Sequence, residues 1–186
     1  PPVVEALRRL LEFFADRGVA YMVIGGLAVR LLALPRTTFD VDVVVAVEDE
    51  QVAGFADGAA RAGFVVDDAF RRGFIDRIAG LGKLHFHVPV GDRWVRVDVF
   101  VLASAYQRAA FARRATLDSD LGPISVVAPE DLVLHKLLAD RPRDRADIAD
   151  LFLVAGALDL DYLRHWASLL GVEDRLDVAL REAGRR

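Results

Sequence analysis

The segment Phe39-Asp40-Val41-Asp42-Val43-Val44-Val45-Ala46-Val47 constrains this chain more than any other stretch. The run is short, rich in valine and interrupted by Asp42, so it reads as a buried strand over 39–47 and not as a membrane span. Side chains alternate across a strand, which puts Asp40 and Asp42 on one face. Two carboxylates among valines repel each other unless they are solvated, protonated or bound to cations. Magnesium relieves that repulsion, because it takes oxygen ligands at about 2.0–2.1 Å and shares them with phosphates. Two such ions, roughly 3.5–4 Å apart, suit an in-line displacement at phosphorus. A third acid, Asp98, sits within the apolar run Val95-Arg96-Val97-Asp98-Val99-Phe100. The plainer alternative is that each acid is a surface residue on a half-exposed strand.

The rest of the chain reads as alternating elements. Val4, Leu7, Leu10, Leu11 and Phe14 recur at helical spacing over 3–17, and Gly18 ends that helix. A short strand over 20–24 breaks at Gly25-Gly26, a helix follows over 27–34, and Pro35 closes it. A helix over 48–62 opens with acidic residues, which suits its dipole. The stretch 65–78 has no clear pattern. Strands over 83–90 and 93–102 flank Gly91-Asp92, a favourable hairpin turn. A helix over 104–114 and a strand over 124–127 come next, then helices over 130–140, 144–155, 159–170 and 173–183. This order predicts an α+β fold, a mixed sheet flanked by helices with a C-terminal helical region.

Composition narrows the partners. The 186 residues contain no cysteine, which excludes disulfides and thiolate zinc sites. No apolar stretch is long enough to span a bilayer and no secretory pattern is visible, so no membrane partner and a cytoplasmic location are expected. The net charge of −4 argues against broad, nonspecific nucleic-acid binding. Local basic patches remain open at Arg71, Arg72 and Arg77, or at Arg108, Arg113 and Arg114.

The elements Val23-Ile24-Gly25-Gly26, Asp40-Val41-Asp42 and Asp98 together resemble the nucleotidyltransferase superfamily, with its DNA-polymerase-beta-like palm. The form Gly-Gly-Leu-Ala-Val followed by Pro-Arg-Thr-Thr-Phe-Asp-Val-Asp is most similar to AbiEii-type toxins and minimal nucleotidyltransferases, and the likeness runs over roughly 4–155. The resemblance implies that Asp40 and Asp42 bind two Mg²⁺ ions. It implies that Asp98 completes the second ion site and orients or deprotonates an acceptor hydroxyl. Gly25 and Gly26 would let the backbone approach a nucleoside triphosphate such as ATP, beside a helix N-terminus. Arg36 and Thr38 would hold phosphate or the Asp pair, or else cap and solvate a loop.

A two-residue turn at Gly91-Asp92 pairs Val90 with Arg93, and so sets His85 opposite Asp98 and His87 opposite Arg96. On that register the four side chains share the carboxylate face. The histidines then wall the site, pack on the strand, or form a two-histidine transition-metal pair. Farther on, Lys136 borders the apolar stripe Val133, Leu134, Leu137 and Leu138, and Arg143-Asp144-Arg145-Ala146-Asp147 opens the next helix. The resemblance implies that Lys136 reaches the triphosphate and that Asp147 faces Lys136 or the site. A solvated flank for Lys136 and a helix cap for Asp144 are the plainer readings. Tyr162, Trp166 and Leu169 read as a core stripe.

Residues 1–127 are expected to form a catalytic core, with 128–186 a helical region packed on it. The implied activity is Mg²⁺-dependent transfer of a nucleoside monophosphate from an NTP to an acceptor hydroxyl, with pyrophosphate released. The acceptor is a tRNA, in a toxin that has an antitoxin partner, or a small molecule of the aminoglycoside kind, or a protein. A noncatalytic nucleotide- or partner-binding module is the reading from another class.

Overall fold

Helix α1 (Pro2–Arg17) turns Val3, Ala6, Leu7, Leu10, Phe13 and Phe14 inward, and Gly18 ends it in the left-handed conformation. Burying each Leu or Phe of such a face stabilises the fold by about 1.5–3 kcal/mol, so the amphipathic stripe fixes which side of the helix meets the sheet. The computed structural model describes residues 1–78 and 81–184. The chain continues through β1 (Tyr21–Ile24), α2 (Gly25–Leu32), β2 (Val41–Val45), a 3₁₀ turn (Asp49–Gln51) and α3 (Val52–Arg61). Next come β3 (Val65–Val66), α4 (Asp68–Arg71), β4 (Asp76–Ile78), β5 (Leu81–Val90), β6 (Arg93–Val101) and α5 (Ala105–Ala112). The last elements are β7 (Ala115–Ser119), β8 (Gly122–Val126), α6 (Pro129–Ala139), α7 (Pro142–Val154), α8 (Leu160–Leu169) and α9 (Glu173–Glu182).

One mixed sheet runs β3-β5-β6-β2-β1-β8-β7, with β4 also paired to β5. The pairs β1–β2, β5–β6 and β7–β8 are antiparallel, whereas β2–β6 and β1–β8 are parallel. The α+β class and the mixed sheet flanked by helices are as expected. Val41, Val43 and Val45 of β2 and Val95, Val97, Val99 and Val101 of β6 face the core. The alternate positions of β6, from Trp94 through Arg96 to Asp98, face the other way and are exposed or half-buried.

Several boundaries differ from the sequence reading. The strand read as 39–47 is narrower, and Asp40 stands just ahead of it as an exposed residue. Strand β7 was not anticipated, because Ala115-Thr116-Leu117-Asp118-Ser119 carries one apolar side chain of any size and lies at the sheet edge. The unpatterned 65–78 region holds three short elements whose strands pair on β5, too short for periodicity to register. On α8 the buried positions are Leu163 and Ala167. Tyr162 and Trp166 pack half-buried against the core, while Leu169 is exposed and leaves the expected stripe.

Candidate active site

The site grows from register. In the parallel β2–β6 pair, Asp42 stands directly beside Asp98, and on the other side of β2 it lies opposite Ile24, the last residue of β1. The chain leaves β1 through Gly25, whose φ is +65°. A Cβ built on Gly25 would lie 2.0 Å from Asp42 Oδ2, so the absence of a side chain is what lets this backbone lie on the carboxylate. Gly26 makes the same kind of close approach to Thr38 and Arg36, where a Cβ would be 2.6 Å from Thr38 Oγ1 and 3.0 Å from an Arg36 nitrogen. Thr38 is buried and its hydroxyl donates to Asp40 Oδ1 at 3.0 Å. Gly25, Gly26, Arg36, Thr38, Asp40, Asp42 and Asp98 therefore form one contiguous constellation.

Burial pushes the Asp42 carboxyl up to about 6, and the charges of Asp40 and Asp98 push the same way, while Lys136 and Arg141 pull against them. A negative charge here needs a positive partner. Asp98 already has two: Lys83 Nζ lies 2.7 Å from its Oδ2, and Arg96 Nε donates to its Oδ1 at 2.8 Å. Among the described residues no three His, Asp or Glu side chains are gathered into a ready metal-holding group. Asp42 and Asp40 carry the oxygen donors that a divalent cation takes, whereas both oxygens of Asp98 are engaged by Lys83 and Arg96.

The hairpin register is as the Gly91-Asp92 turn predicted, with Val90 opposite Arg93, His87 opposite Arg96 and His85 opposite Asp98. Burial, followed by the Arg96 charge, holds the His85 imidazole below its ordinary value. Its ring meets Phe70 edge-on at 5.1 Å and His87 at 6.2 Å, so it is packed as well as facing the site.

Lys136 is buried, not a solvated flank. Its Nζ lies 2.8 Å from Asp144 Oδ1 and 2.7 Å from Asp147 Oδ2. Asp147 in turn accepts from Arg36 Nη2 at 3.0 Å, and Arg36 Nε lies 2.9 Å from its other oxygen without a hydrogen-bonding angle. Asp144 also accepts the Arg141 backbone N–H at 2.9 Å, so it caps α7 and pairs with Lys136 at once. This chain of charges ties helices α6 and α7 to the loop that leads into β2. Lys136 makes contact with two aspartates here, and its charge also acts on Asp42.

Sequence reasoning overlooked Lys83. Its register partner is Phe100, so it sits diagonal to Asp98 on the same face, and the predicted hairpin already contained that information. The suggested basic patches are neutralised in part, and Arg72, Arg108 and Arg114 are in none of the ion pairs among the described residues. Arg71 pairs with Asp57 and Asp68, Arg77 with Asp49, and Arg113 with Glu130 and Asp131.

The fold is that of the nucleotidyltransferases. An antigenic nucleotidyltransferase-like protein from Paracoccidioides brasiliensis superimposes with a TM-score of 0.58 at 19% identity, over 97% of this chain and 92% of that one. The lincosamide antibiotic adenylyltransferase LnuA, in its lincomycin-bound form, gives 0.55 at 14% identity, over 79% and 94%. ANT(2″)-Ia in complex with adenylyl-2″-tobramycin gives 0.52 at 15% identity, over 90% and 95%. No protein-family model and no curated protein sequence matches the chain. Among the described residues, no helix is long and apolar enough to cross a membrane.

Proposed function

We propose that the protein is a Mg²⁺-dependent nucleotidyltransferase that moves a nucleoside monophosphate from an NTP to an acceptor hydroxyl and releases pyrophosphate. The observation that carries this reading is the pairing of Asp42 with Asp98 on adjacent parallel strands, beside a glycine that lies on the Asp42 carboxylate. The nucleotidyltransferase fold supports it. Asp40 and Asp42 would hold the metal, with Asp98 joining them; when bound, the metal neutralises charge on the triphosphate and on the acceptor oxygen. Gly25 and Gly26 keep the start of α2 free of side chains, so that backbone N–H groups approach the phosphates. Asp98 would orient the acceptor hydroxyl or take up its proton. Residues 1–127 would carry this chemistry, with 128–186 bracing the loop through Lys136, Asp147 and Arg36.

A small-molecule acceptor is the first form of this reading; Arg71, Arg77 and Arg113 of the possible basic patches are ion-paired, whereas Arg30, Arg72, Arg93 and Arg108 are exposed and in no ion pair among the described residues. LnuA and ANT(2″)-Ia share the fold, and the former was captured with lincomycin. The second form is transfer to a tRNA by an AbiEii-like toxin with an antitoxin partner, and it rests on the Gly-Gly-Leu-Ala-Val and Pro-Arg-Thr-Thr-Phe-Asp-Val-Asp segments.

Incubation with each α-labelled NTP and Mg²⁺ against total tRNA, lincomycin, tobramycin and a protein mixture tests the proposal. Label should appear on one acceptor class, and Asp42→Ala should abolish it. Nucleotide binding without pyrophosphate release from any acceptor would instead identify a noncatalytic module.

A further inference from the structure

A cleft of about 570 Å³ opens at the end of the sheet where β2 and β6 begin. Its volume lies in the range that holds drug-sized ligands. Its inner wall includes Arg36 and Thr38, the two side chains that press on Gly26, and Thr38 also bonds to Asp40. The cleft thus adjoins the carboxylates through a shared wall. Two of its lining side chains are aromatic and open to solvent: Phe39 is 78% exposed and Trp94 is 60% exposed. Large aromatic surface left in water beside a site marks a place where a ligand's apolar surface is received.

The charge on the lining is one-sided. Arg30, Arg36 and Arg93 line the cleft, and among the described residues no aspartate or glutamate does. Arg36 is committed to Asp147, whereas Arg30 and Arg93 are exposed and make no ion pair among the described residues. Guanidinium groups beside aromatic rings suit a flat, electron-rich group that carries negative charge. A polycationic amino sugar would meet like charge and no carboxylate to bind it. Trp94 and Asp98 lie on the same face of β6, four residues apart, which is about 13 Å along a strand.

We propose that this cleft seats the acceptor, and that the acceptor is an amphipathic anion whose flat apolar ring system rests at Trp94 and Phe39. Its reacting hydroxyl then lies about 13 Å away, at Asp98. The inference rests on the transferase reading above and adds a substrate class to it.

Binding of a matched series tests the class without nucleotide: 2-naphthalenesulfonate, 2-naphthol and 2-naphthylmethylammonium, which share a ring and differ in charge. The readout is the Trp94 indole N–H resonance of the full chain, assigned with Trp94→Phe. The sulfonate should bind about tenfold tighter than the ammonium. The double variant Arg30→Glu/Arg93→Glu should erase or invert that order, and Trp94→Ala should weaken all three probes. Both arginines and Trp94 are exposed, so the variants should keep the parent's thermal transition. Equal or tighter binding of the ammonium, or shifts that spare Trp94, would overturn the proposal. A second arm adds the α,β-methylene analogue of ATP with Mg²⁺. Simultaneous binding supports an acceptor seat, whereas displacement of the sulfonate assigns the cleft to the nucleotide base and overturns it. Anion selectivity at Trp94 together with no label transfer to any acceptor would retire the transferase reading and the acceptor role with it, while leaving the selective cleft as measured.

Discussion

Lys83 Nζ stands 2.7 Å from Asp98 Oδ2, so the third carboxylate of the site is held by a cation that belongs to the protein itself. Both side chains are mostly sheltered from solvent, which keeps the attraction from being screened away. On the proposed magnesium-dependent reading, Lys83 competes with the divalent ion for Asp98. In Lys83→Met the Mg²⁺ concentration giving half-maximal nucleotide-dependent stabilisation should fall about five- to tenfold, while the metal-free protein loses about 1–2 kcal/mol. Thermal melts across a MgCl₂ series with ATP present measure both. An unchanged magnesium midpoint would show that Lys83 and the metal do not share Asp98.

Gly25→Ala places a methyl group where Asp42 Oδ2 already lies, at a positive φ that an alanine adopts at a cost. The variant should lose about 2–3 kcal/mol by urea unfolding, because both the backbone and Asp42 have to move. Label transfer should fall further than stability accounts for, measured where more than nine-tenths of the protein is folded. Gly54→Ala is the control: nothing lies within 4 Å of a Cβ there, and its stability should hold or rise slightly.

Removing Lys136 takes a cation from two aspartates, of which Asp147 keeps Arg36. Asp144 and Asp147 are both buried, and Lys136→Met leaves Asp144 with only the Arg141 backbone N–H. The expected loss is about 3–5 kcal/mol, the usual consequence of an unpaired buried charge. Adding Asp144→Asn to Lys136→Met should recover part of it, a coupling that a double-mutant cycle by urea unfolding reads directly.

Two half-buried groups give the stability opposite slopes with pH. Burial pushes the His135 imidazole down to about 4 from an ordinary value of 6.5, so the folded state binds fewer protons than the unfolded state in that window. Its contribution, about 3 kcal/mol, is present above pH 6.5 and is lost as pH falls toward 4. The Asp42 carboxyl is pushed up to about 6 from 3.8, so the folded state binds more protons there and stability falls as pH rises from 4 to 6. The two slopes largely cancel in the metal-free protein. Asp42→Asn should uncover the His135 slope, and stability by urea unfolding should then climb steadily from pH 4.5 to 6.5. A flat profile in that variant would contradict a neutral His135.

The parts of the site that follow from strand register were legible in the sequence. The two-residue turn at Gly91-Asp92 fixed which side chains of β5 and β6 lie together, since a slip of one residue would turn every one of them to the other face, whereas Asp40 lies ahead of β2 and alternation does not place it. Gly25 was legible as a break but not as a cradle, because its closeness to Asp42 depends on how β1 and β2 pair. The burial of Lys136 was not legible. Its own stripe puts it at the border, and the arrival of α7, with Asp144 and Asp147, encloses it. Strand β7 escaped for a different reason: an edge strand with polar side chains has no alternation to detect.

The link from Arg36 through Asp147 to Lys136 also limits how the molecule can be divided. The loop that delivers Thr38 and Asp40 to the site is gripped by a side chain from α7, which reaches it from far along the chain. A fragment that stops before α6 would have a nearly complete sheet and both central aspartates, yet its Arg36 would have nothing to hold. Such a half could not be transplanted alone into another scaffold and keep its loop in place, so any recombination of this fold has to carry the entrance loop and the distal helices together.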